Sequence, residues 1–476
     1  MKNISYDRDA VRPGILHIGV GNFHRAHLAY YINCLLSRDP SQANWGICGV
    51  MLLPGDERLY HALSDQKDEY TLTVCSRDGD NECYQIGSIV ELLWSGDNAQ
   101  AILDRFADPY IRILSMTITE GGYNIDKVTG EFDLENNAVS HDLKYPKEPE
   151  TVFGYVAEGL CRRRDSGAGG LTILTCDNLQ HNGDTARKAF TTFFRAQDPE
   201  LAEWVEQNVT FPNSMVDRIT PATLPQDVKR LNHENGTKDA APVYCEDFIQ
   251  WVVEENFAAG RPDWEQVGVQ MTDDVTAYEN MKLSLLNASH TLLSYPSFLS
   301  GYRKVDDAMT NGKIVKFIRD FMDLDVTPYV PAPKGIDLDE YKQTLIERFG
   351  NRQVSDQIAR LCFDGLSKFP VYITPTLTKM VGDGRDLTRM AYLLAVYRHY
   401  LRHHRDDNGE EFEVAEPQMT EADRRLIESD DPVDFLRLPA FAGAGLEDSD
   451  EFKRLYFKMI DSLKQHGTMG TLENII

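Results

Sequence analysis

The segment from Glu279 to His290 contains four polar side chains whose types could move a proton to or from an alcohol. On a helix, Glu279, Lys282, Asn287 and His290 fall within roughly 140° on a face that is otherwise rich in leucine. Burial lowers the pKa of a lysine because it disfavours the ammonium, and a neutral lysine is a general base. Lys282 is therefore a candidate general acid/base. The alternative is a half-buried helix whose lysine reaches solvent.

The neighbours of Lys282 suggest complementary roles. The Asn287 amide can donate a hydrogen bond to a developing alkoxide, and His290 can orient a hydroxyl or a carbonyl. Glu279 precedes Lys282 by about one helical turn and is a candidate for relaying the lysine proton to water.

Two other polar positions are candidates for the same site. Asn178 follows the apolar run 171–176, and the carboxyl ends of parallel strands are where α/β sheets bind ligands. It is a second possible amide donor, or else an ordinary helix cap. Asp217 precedes Arg218 within the apolar frame 211–221, which fits either a substrate contact or a structural ion pair.

A glycine turn opens the chain's first strand–helix unit. The apolar run 15–20 leads into Gly19 and Gly21, and an apolar helical pattern follows. The first glycine permits a tight turn and the second allows backbone N–H groups to approach a pyrophosphate, which predicts a dinucleotide site. The third glycine of the usual pattern is replaced by His24.

An acidic residue after the second strand would bind the ribose 2′-hydroxyl of the nucleotide. Asp56 follows the predicted strand 45–52, although its distance from Gly21 exceeds the usual ~20 residues. A carboxylate there repels a 2′-phosphate and favours NAD over NADP, with nearby Arg58 opposing that preference. The alternative for Asp56 is a turn residue after the Pro-Gly pair.

The elements needed to position these side chains change character along the chain. The first part alternates helical stretches with five strand-like apolar runs, at 15–20, 45–52, 70–76, 111–119 and 171–178. That alternation predicts an α/β, doubly wound sheet. Beyond Ala277 helical patterns dominate. We therefore predict a Rossmann-type domain over residues 1–276, followed by a mainly α-helical domain over 277–476.

Composition limits the classes of function. A net charge of −26 over 476 residues disfavours binding to nucleic acid or to anionic membranes. The amino terminus is polar and the sequence has no long apolar run, so we expect no signal peptide and no membrane span. Eight cysteines without a C-x-x-C pair are typical of reduced thiols in a cytoplasmic protein, with no zinc knuckle.

Five motifs together resemble the polyol-specific long-chain dehydrogenases, and the likeness extends over essentially the whole chain. They are GVGNFHRAH (19–27), TITEGGY (117–123), TCDNLQHNG (175–183), FPNSMVDRITP (211–221) and MKLSLLNASH (281–290). The segments 323–349 and 364–370 carry the resemblance through the second domain. The combination of VDRITP with K-L-x-x-x-N-x-x-H is highly specific.

The resemblance implies NAD(H)-dependent, metal-independent oxidation of a secondary alcohol, with D-mannitol and D-fructose as the first expected pair. It assigns Lys282 as the general acid/base, with Asn178 and Asn287 polarising the reacting oxygen and His290 contacting the substrate. Substrate-binding or supporting positions are Asp217, Arg360 and Lys368; the cofactor turn comprises Gly19, Gly21, Phe23 and Arg25, and Asp56 selects NAD.

Several alternatives stay open from the sequence. Other substrates within the same chemistry are arabinitol, a broader range of hexitols, and fructuronate, whose carboxylate would need an extra cation. A catalytically inactive nucleotide-binding protein is a further alternative, against which the intact Lys282 argues. The histidine-rich tract 397–405 is interpreted as a solvated helix end rather than a metal site. We expect a small polyol or ketose as partner, and a monomer or a weak homo-oligomer.

Overall fold

The chain folds into two units in the computed structural model, Met1–Val275 and Thr276–Ile476. The structure describes residues 1–126 and 129–476. Within these ranges, no helix has the length and apolar character that crossing a membrane requires.

The first unit contains all the strands of the described chain. In chain order they are β1 (Pro13–Ile18), β2 (Gly46–Met51), β3 (Tyr70–Cys75), β4 (Glu82–Ile86), β5 (Ile89–Trp94), β6 (Ile113–Met116), β7 (Leu171–Thr175), β8 (Val209–Thr210), β9 (Ser214–Asp217), β10 (Val243–Glu246), β11 (Gln250–Glu254) and β12 (Gln270–Thr272).

Six of these strands form one parallel sheet in the order β5-β2-β1-β6-β7-β8. Numbered along the sheet, this is the 3-2-1-4-5-6 order of a doubly wound dinucleotide-binding fold, and the strand order reverses between β1 and β6. Two three-stranded sheets, β10-β3-β4 and β12-β11-β9, complete the unit. The predicted α/β, Rossmann-type architecture is confirmed.

Helices cover both faces of the parallel sheet. They are α1 (Asn22–Ala26), α2 (Leu28–Arg38), α3 (Glu57–Ser64), α4 (Ser95–Phe106), α5 (Asn137–Lys144), α6 (Val152–Ser166), α7 (Asn182–Gln197), α8 (Pro199–Asn208) and α9 (Pro225–Asn235). Alternate residues of β1 enter different cores: Ile15 packs with α2, whereas Leu16 and Ile18 pack with α4, α6 and α7. Both faces of the strand are buried, which is why its sequence is continuously apolar.

Two details of the first unit differ from the sequence-based expectation. The run 70–76 does form a strand, but β3 pairs with β4 and β10 and lies outside the parallel sheet. The helix expected after the glycine turn breaks at His27 (φ −121°, ψ −89°), which separates α1 from α2. Both outcomes depend on partners distant in sequence rather than on local pattern.

A single buried arginine anchors the loop that leads into β7. Arg163 on α6 donates to the carbonyl oxygens of five residues, namely Phe106, Asp108, Ala168, Gly169 and Gly170, at 2.8–3.1 Å. Burial lowers the pKa of this guanidinium to about 10. The carbonyl contacts satisfy its donors in place of water, so the start of β7 is held firmly.

The second unit is helical. Its helices are α10 (Thr276–Met281), α11 (Ala288–Leu299), α12 (Val305–Ala308), α13 (Gly312–Asp320), α14 (Leu338–Phe349), α15 (Ile358–Cys362), α16 (Gly365–Tyr372), α17 (Thr374–Gly382), α18 (Thr388–His403), α19 (Glu421–Glu428), α20 (Pro432–Phe435) and α21 (Asp450–Glu473). Two π-helical turns, Lys282–Asn287 and Phe321–Val326, continue α10 and α13.

Helix α11 lies at the centre of the second unit. All twelve of its residues are buried, and it packs against α13, α15, α16, α18 and α21. Arg389 of α18 forms a buried ion pair with Asp325 of the second π turn, with both guanidinium–carboxylate distances at 2.6 Å. The polar segment that precedes α11 is thus built onto a rigid helical support.

Candidate active site

The glycine turn after β1 has the geometry that its two glycines predict. Gly19 has φ +97°, and a Cβ there would meet the carbonyl oxygen of Thr117 at 2.1 Å, so no other residue fits. A Cβ on Gly21 would meet no atom within 4 Å. The turn is therefore closely packed on one side and open on the other, where its backbone can approach a ligand.

His24 occupies the position of the third glycine in the usual pattern, and its imidazole stacks on that of His17. His24 of α1 lies on His17 of β1, with ring centroids 3.4 Å apart and planes inclined by 14°. His17 in turn contacts the hydroxyl of Ser115 (2.8 Å) and the carbonyl of Gly19 (3.1 Å). A flat ring thus allows the close helix–strand approach that a glycine provides in other dinucleotide folds.

A cavity of about 780 Å³ lies at the carboxyl ends of the parallel strands, beside the glycine turn. The sequence-predicted residues that line it are Gly19, Gly21, Phe23, Asp56 and Asn178. The remaining walls come from the segments 117–124, 136–139 and 150–153. Its place, at the edge where strand order reverses, is where such sheets bind nucleotides. The open backbone at Gly21 and the volume fit a dinucleotide.

Arg25 lies behind the turn rather than in the cavity wall. Its guanidinium donates to the carbonyl of Ala241 (2.5 Å) and to the side chain of Asn22 (2.6 Å), and it lies over the ring of Tyr70. Burial lowers the pKa of Arg25. These contacts make Arg25 a brace for α1 and the glycine turn.

Asp56 belongs to a short 3₁₀ turn, Pro54–Asp56, beyond the end of β2. Its carboxylate accepts a hydrogen bond from the backbone N–H of Leu53 at 3.0 Å, and the residue lines the cavity. The long spacing from Gly21 arises mostly before β2, where α1, α2 and a 3₁₀ turn (Pro40–Trp45) occupy residues 22–45. The Pro54–Asp56 turn brings the carboxylate back toward the strand ends.

Asp177 and Asn178 follow β7 at the cavity floor. The carboxylate of Asp177 accepts the backbone N–H groups of Ile118 (3.1 Å) and Thr119 (2.9 Å) and the Tyr123 hydroxyl (2.8 Å). Burial raises the pKa of Asp177 to about 6, although these hydrogen bonds favour its ionised form. The side chain of Asn178 is half-buried in the cavity wall.

In the second unit, Lys282 and Asn287 begin and end the first π-helical turn. Around a regular α-helix they would be separated by roughly 140°. Hydrogen bonds between residues five apart instead place Asn287 approximately one turn above Lys282, on the same side. Lys282 is only 6% exposed. The π turn therefore brings residues 282 and 287 closer to one side of the helix than the arc of roughly 140° that a regular α-helix predicts.

Glu279 and His290 flank the π turn. Glu279 is buried on α10, one turn before Lys282, and His290 is buried near the start of α11. The imidazole of His290 packs on the ring of Phe349 with centroids 4.3 Å apart. This contact between the two rings restrains the plane of the imidazole. A side chain that orients a hydroxyl needs its ring plane to be restrained in this way.

Arg360 and Lys368 lie on α15 and α16, which pack against α11 and the π turn respectively. The Arg360 guanidinium pairs with the buried Asp356, with Nε 3.0 Å from the carboxylate. Burial alone would raise the pKa of Asp356, but Arg360 and the nearby His290 hold it below the usual value. The Lys368 ammonium donates to the carbonyl of Leu361 at 3.1 Å.

Asp217 ends β9 and is 3% exposed. Its neighbour Arg218 donates to the carbonyl of Ala26 (2.7 Å) and lies over the ring of Tyr30. Arg218 thus joins β9 to the region of the glycine turn. Asp177, Thr119 and Asp356 were not predicted as site residues from the sequence. The partners of Asp177 and Thr119 are distant in sequence, and Asp356 lies in a segment without a recognisable pattern.

The chain was compared with known families. Residues 13–266 match the mannitol dehydrogenase Rossmann domain, and residues 274–463 match the mannitol dehydrogenase C-terminal domain. A polyol:NADP oxidoreductase from Gluconobacter oxydans is 43% identical over 469 residues, which cover 98% of this chain and 96% of the relative. A mannitol 2-dehydrogenase from Aspergillus fumigatus is 39% identical over 473 residues, covering 98% and 94%.

Solved structures give the same result. Mannitol 2-dehydrogenase from Pseudomonas fluorescens, in a ternary complex with NAD and D-mannitol, has 42% sequence identity and a TM-score of 0.94, covering 100% of this chain and 96% of that one. A D-sorbitol dehydrogenase in substrate-free form has 42% identity and a TM-score of 0.85, covering 99% and 97%.

The fold, the cavity and these similarities define the class of protein. The chain is an oxidoreductase with a Rossmann-type domain and a helical carboxyl-terminal domain. It belongs to the mannitol dehydrogenase family. The family resemblance predicted from the sequence motifs is confirmed.

We predict that acid destabilises the first unit through His17 and His24. Burial lowers the pKa of His17 to about 3 and that of His24 well below 6.5. Because these two histidines bind more protons in the unfolded chain below pH 6.5, their contribution to the free energy of unfolding should fall as the pH is lowered. The loss reaches about 1.4 kcal/mol per pH unit for each histidine. Urea unfolding from about pH 7 to about pH 4 measures this slope.

The variant His24→Phe keeps an aromatic ring on His17 and removes one titrating group. Its unfolding free energy should therefore depend less steeply on pH than that of the wild type in the same window. His233→Gln, at an exposed histidine, is the control and should parallel the wild type. A His24→Phe profile parallel to the wild type would contradict the prediction.

Proposed function

We propose that this chain catalyses the NAD-dependent oxidation of D-mannitol to D-fructose and the reverse reduction. The observation that carries the proposal is the π turn, which begins at the buried Lys282 and ends at Asn287. A base beside an amide donor is what abstraction of a hydroxyl proton needs. The cavity beside the glycine turn adds support, and so does the similar Pseudomonas fluorescens enzyme, which was solved with NAD and D-mannitol.

Lys282 is the proposed general acid/base. Lys282 is buried, and in its neutral form the amine would remove the hydroxyl proton in oxidation. In reduction the protonated amine returns that proton to the carbonyl oxygen. Glu279, buried one turn earlier, is proposed to relay the proton toward water. Bound NAD(H) supplies the hydride chemistry at the same carbon.

Two amides are proposed to stabilise the charge that develops on the reacting oxygen. Asn287 comes from the π turn and Asn178 from the cavity floor of the first unit. Within the described residues the Oδ1 atom of Asn287 is buried and accepts no hydrogen bond, and the proposed contact with the reacting oxygen would come from the Nδ2–H group of the same amide. Because a cation and two N–H donors supply polarisation, the mechanism requires no metal.

The remaining predicted residues are proposed to orient the substrate. His290 is held by Phe349 and can contact a substrate hydroxyl. Arg360 and Lys368 lie on helices packed against His290's helix and the π turn. Asp217 is proposed as a supporting position.

The cofactor is proposed to bind in the Rossmann-type domain predicted over residues 1–276, and the substrate residues to come mainly from the predicted helical domain over 277–476. Gly19, Gly21 and Phe23 line the cavity, and Arg25 is proposed to act by bracing their turn. The carboxylate of Asp56 supports a preference for NAD, because it would repel a 2′-phosphate.

A uronate substrate is the second candidate. It would need a cation for its carboxylate, but the charge of Arg360 is already matched by Asp356, and Lys368 donates to main-chain oxygen. The arrangement thus favours a neutral polyol or ketose. We predict that kcat/KM with NADH is highest for fructose among fructose, xylulose, fructuronate and tagaturonate. A preference for either uronate would overturn the proposed substrate.

We predict that Lys282→Ala lowers kcat by roughly 10²–10⁴-fold, because it removes the general base. Binding of NADH, followed by fluorescence titration, should be retained. Lys342→Met is a matched control: Lys342 is also buried in the second unit, but it pairs with Asp323 and Asp339. It should lower stability and leave kcat near the wild-type value. A near-normal kcat in Lys282→Ala would remove the proposed base.

We predict that Asp56→Asn raises the ratio of kcat/KM for NADP to that for NAD by roughly tenfold or more, since a like-charge contact is removed. The asparagine oxygen can still accept the Leu53 N–H, so the turn is preserved. Glu57→Gln, at the adjacent exposed acid, is the control and should leave the ratio unchanged. An unchanged ratio in Asp56→Asn would mean that another residue contacts the ribose.

A further inference from the structure

Asp177 links the ends of two adjacent strands of the parallel sheet. It follows β7, and its carboxylate accepts the N–H of Ile118 at 3.1 Å and that of Thr119 at 2.9 Å, both beyond the end of β6. The hydroxyl of Tyr123 donates to the same carboxylate at 2.8 Å. The buried side chain of Asp177 thus contacts the loop after β6 at both ends, at Ile118 and at Tyr123 in the 3₁₀ turn that follows.

The loop that Asp177 holds is strained. Thr119 has φ +67° and ψ 166°, a region occupied almost only by glycine, and its side chain is β-branched. Such a conformation persists only where its surroundings determine it, and the hydrogen bond from the Thr119 N–H to Asp177 is the contact that does so. Thr119 and Ile118 both line the cofactor cavity.

The main chain of Asp177 is held as firmly as its side chain. Its carbonyl oxygen accepts the N–H of Leu179 at 2.9 Å and the side-chain amide of Asn182 at 3.1 Å. Asn182 also donates to the carbonyl of Ser214 at 2.8 Å, which ties this point to β9. The residue before Asn178 is therefore fixed on both sides, and Asn178 itself lines the cavity.

We propose that Asp177 is a positioning residue. It holds Asn178 in a fixed position relative to the strained backbone at Thr119, and so fixes where the Asn178 amide lies in the cavity wall. The inference rests on the proposed role of Asn178. Asp177 acts through geometry, since its oxygens are used by Ile118, Thr119 and Tyr123. A small displacement of a positioned group is costly in rate even when the fold survives.

The first test is Asp177→Asn, which keeps the shape of the side chain and turns one acceptor into a donor. At saturating NADH we expect kcat for ketose reduction to fall by roughly ten- to a hundredfold. Asp406→Asn is the matched control: this buried carboxylate also accepts two backbone N–H groups, from Asn408 and Glu410. It should lower the melting temperature without lowering kcat. Equal losses of kcat in both variants would overturn the proposal.

The second test separates positioning from general stability by a double-mutant cycle. If Asp177 acts through Asn178, then Asp177→Asn should lower kcat of the Asn178→Ala enzyme by less than about threefold. A full, multiplicative loss in the double variant would overturn the inference and leave the role of Asn178 intact. A normal kcat in Asn178→Ala alone would overturn that role, and this inference with it.

The third test relieves the strain at residue 119 and asks whether Asp177 is then still required. Glycine adopts the conformation of residue 119 without strain, so Thr119→Gly should have a melting temperature at or above the wild type. Combined with Asp177→Asn, it should restore kcat by at least about threefold over the single Asp177 variant. No restoration would mean that Asp177 does not act by holding the strained segment.

Discussion

Buried polar side chains at the carboxyl ends of β1, β6 and β7 are the constraint on which the first unit depends. There His17 contacts the Ser115 hydroxyl and the Gly19 carbonyl, and Asp177 accepts the N–H groups of Ile118 and Thr119. A buried polar group without such a partner costs about 1–3 kcal/mol. The three strand ends are therefore fixed relative to one another, and the cavity wall that they form is fixed with them.

The net charge of the chain is −26, so an anionic cofactor would need local positive charge or N–H donors at its binding site. Arg25 is committed to a backbone carbonyl and to Asn22 behind the glycine turn. The backbone N–H groups of the open turn at Gly21 are therefore the proposed donors to a cofactor phosphate. The acidic excess belongs to the surface, where it favours solubility rather than ligand binding.

In the second unit the corresponding feature is a π turn that begins at Lys282 and ends at Asn287, five positions later. A regular α-helix separates Lys282 from Asn287, whereas the π turn brings them into line. The neighbouring π turn, Phe321–Val326, packs against the first and is held by the Arg389–Asp325 pair. The irregular backbone therefore stands on a well-packed support.

The sequence by itself determined the elements whose reasons are local. Gly19 is dictated by its own turn, and the apolar runs specify strands buried on both faces. Each of these follows from a few consecutive residues, so periodicity and motif spacing were sufficient. Together with the motifs, they were enough to predict the family and the two-domain architecture.

Only the tertiary structure decided which of these residues meet, and how. It stacked His24 on His17 in place of a glycine and turned Arg25 away from the cavity. It joined Asp177 to a loop nearly sixty residues earlier in the chain, and it inserted the π turn at Lys282. The physical reason is that the ring, hydrogen-bond and packing partners of these residues are brought together by the fold and are mostly distant in sequence, so local pattern does not specify them.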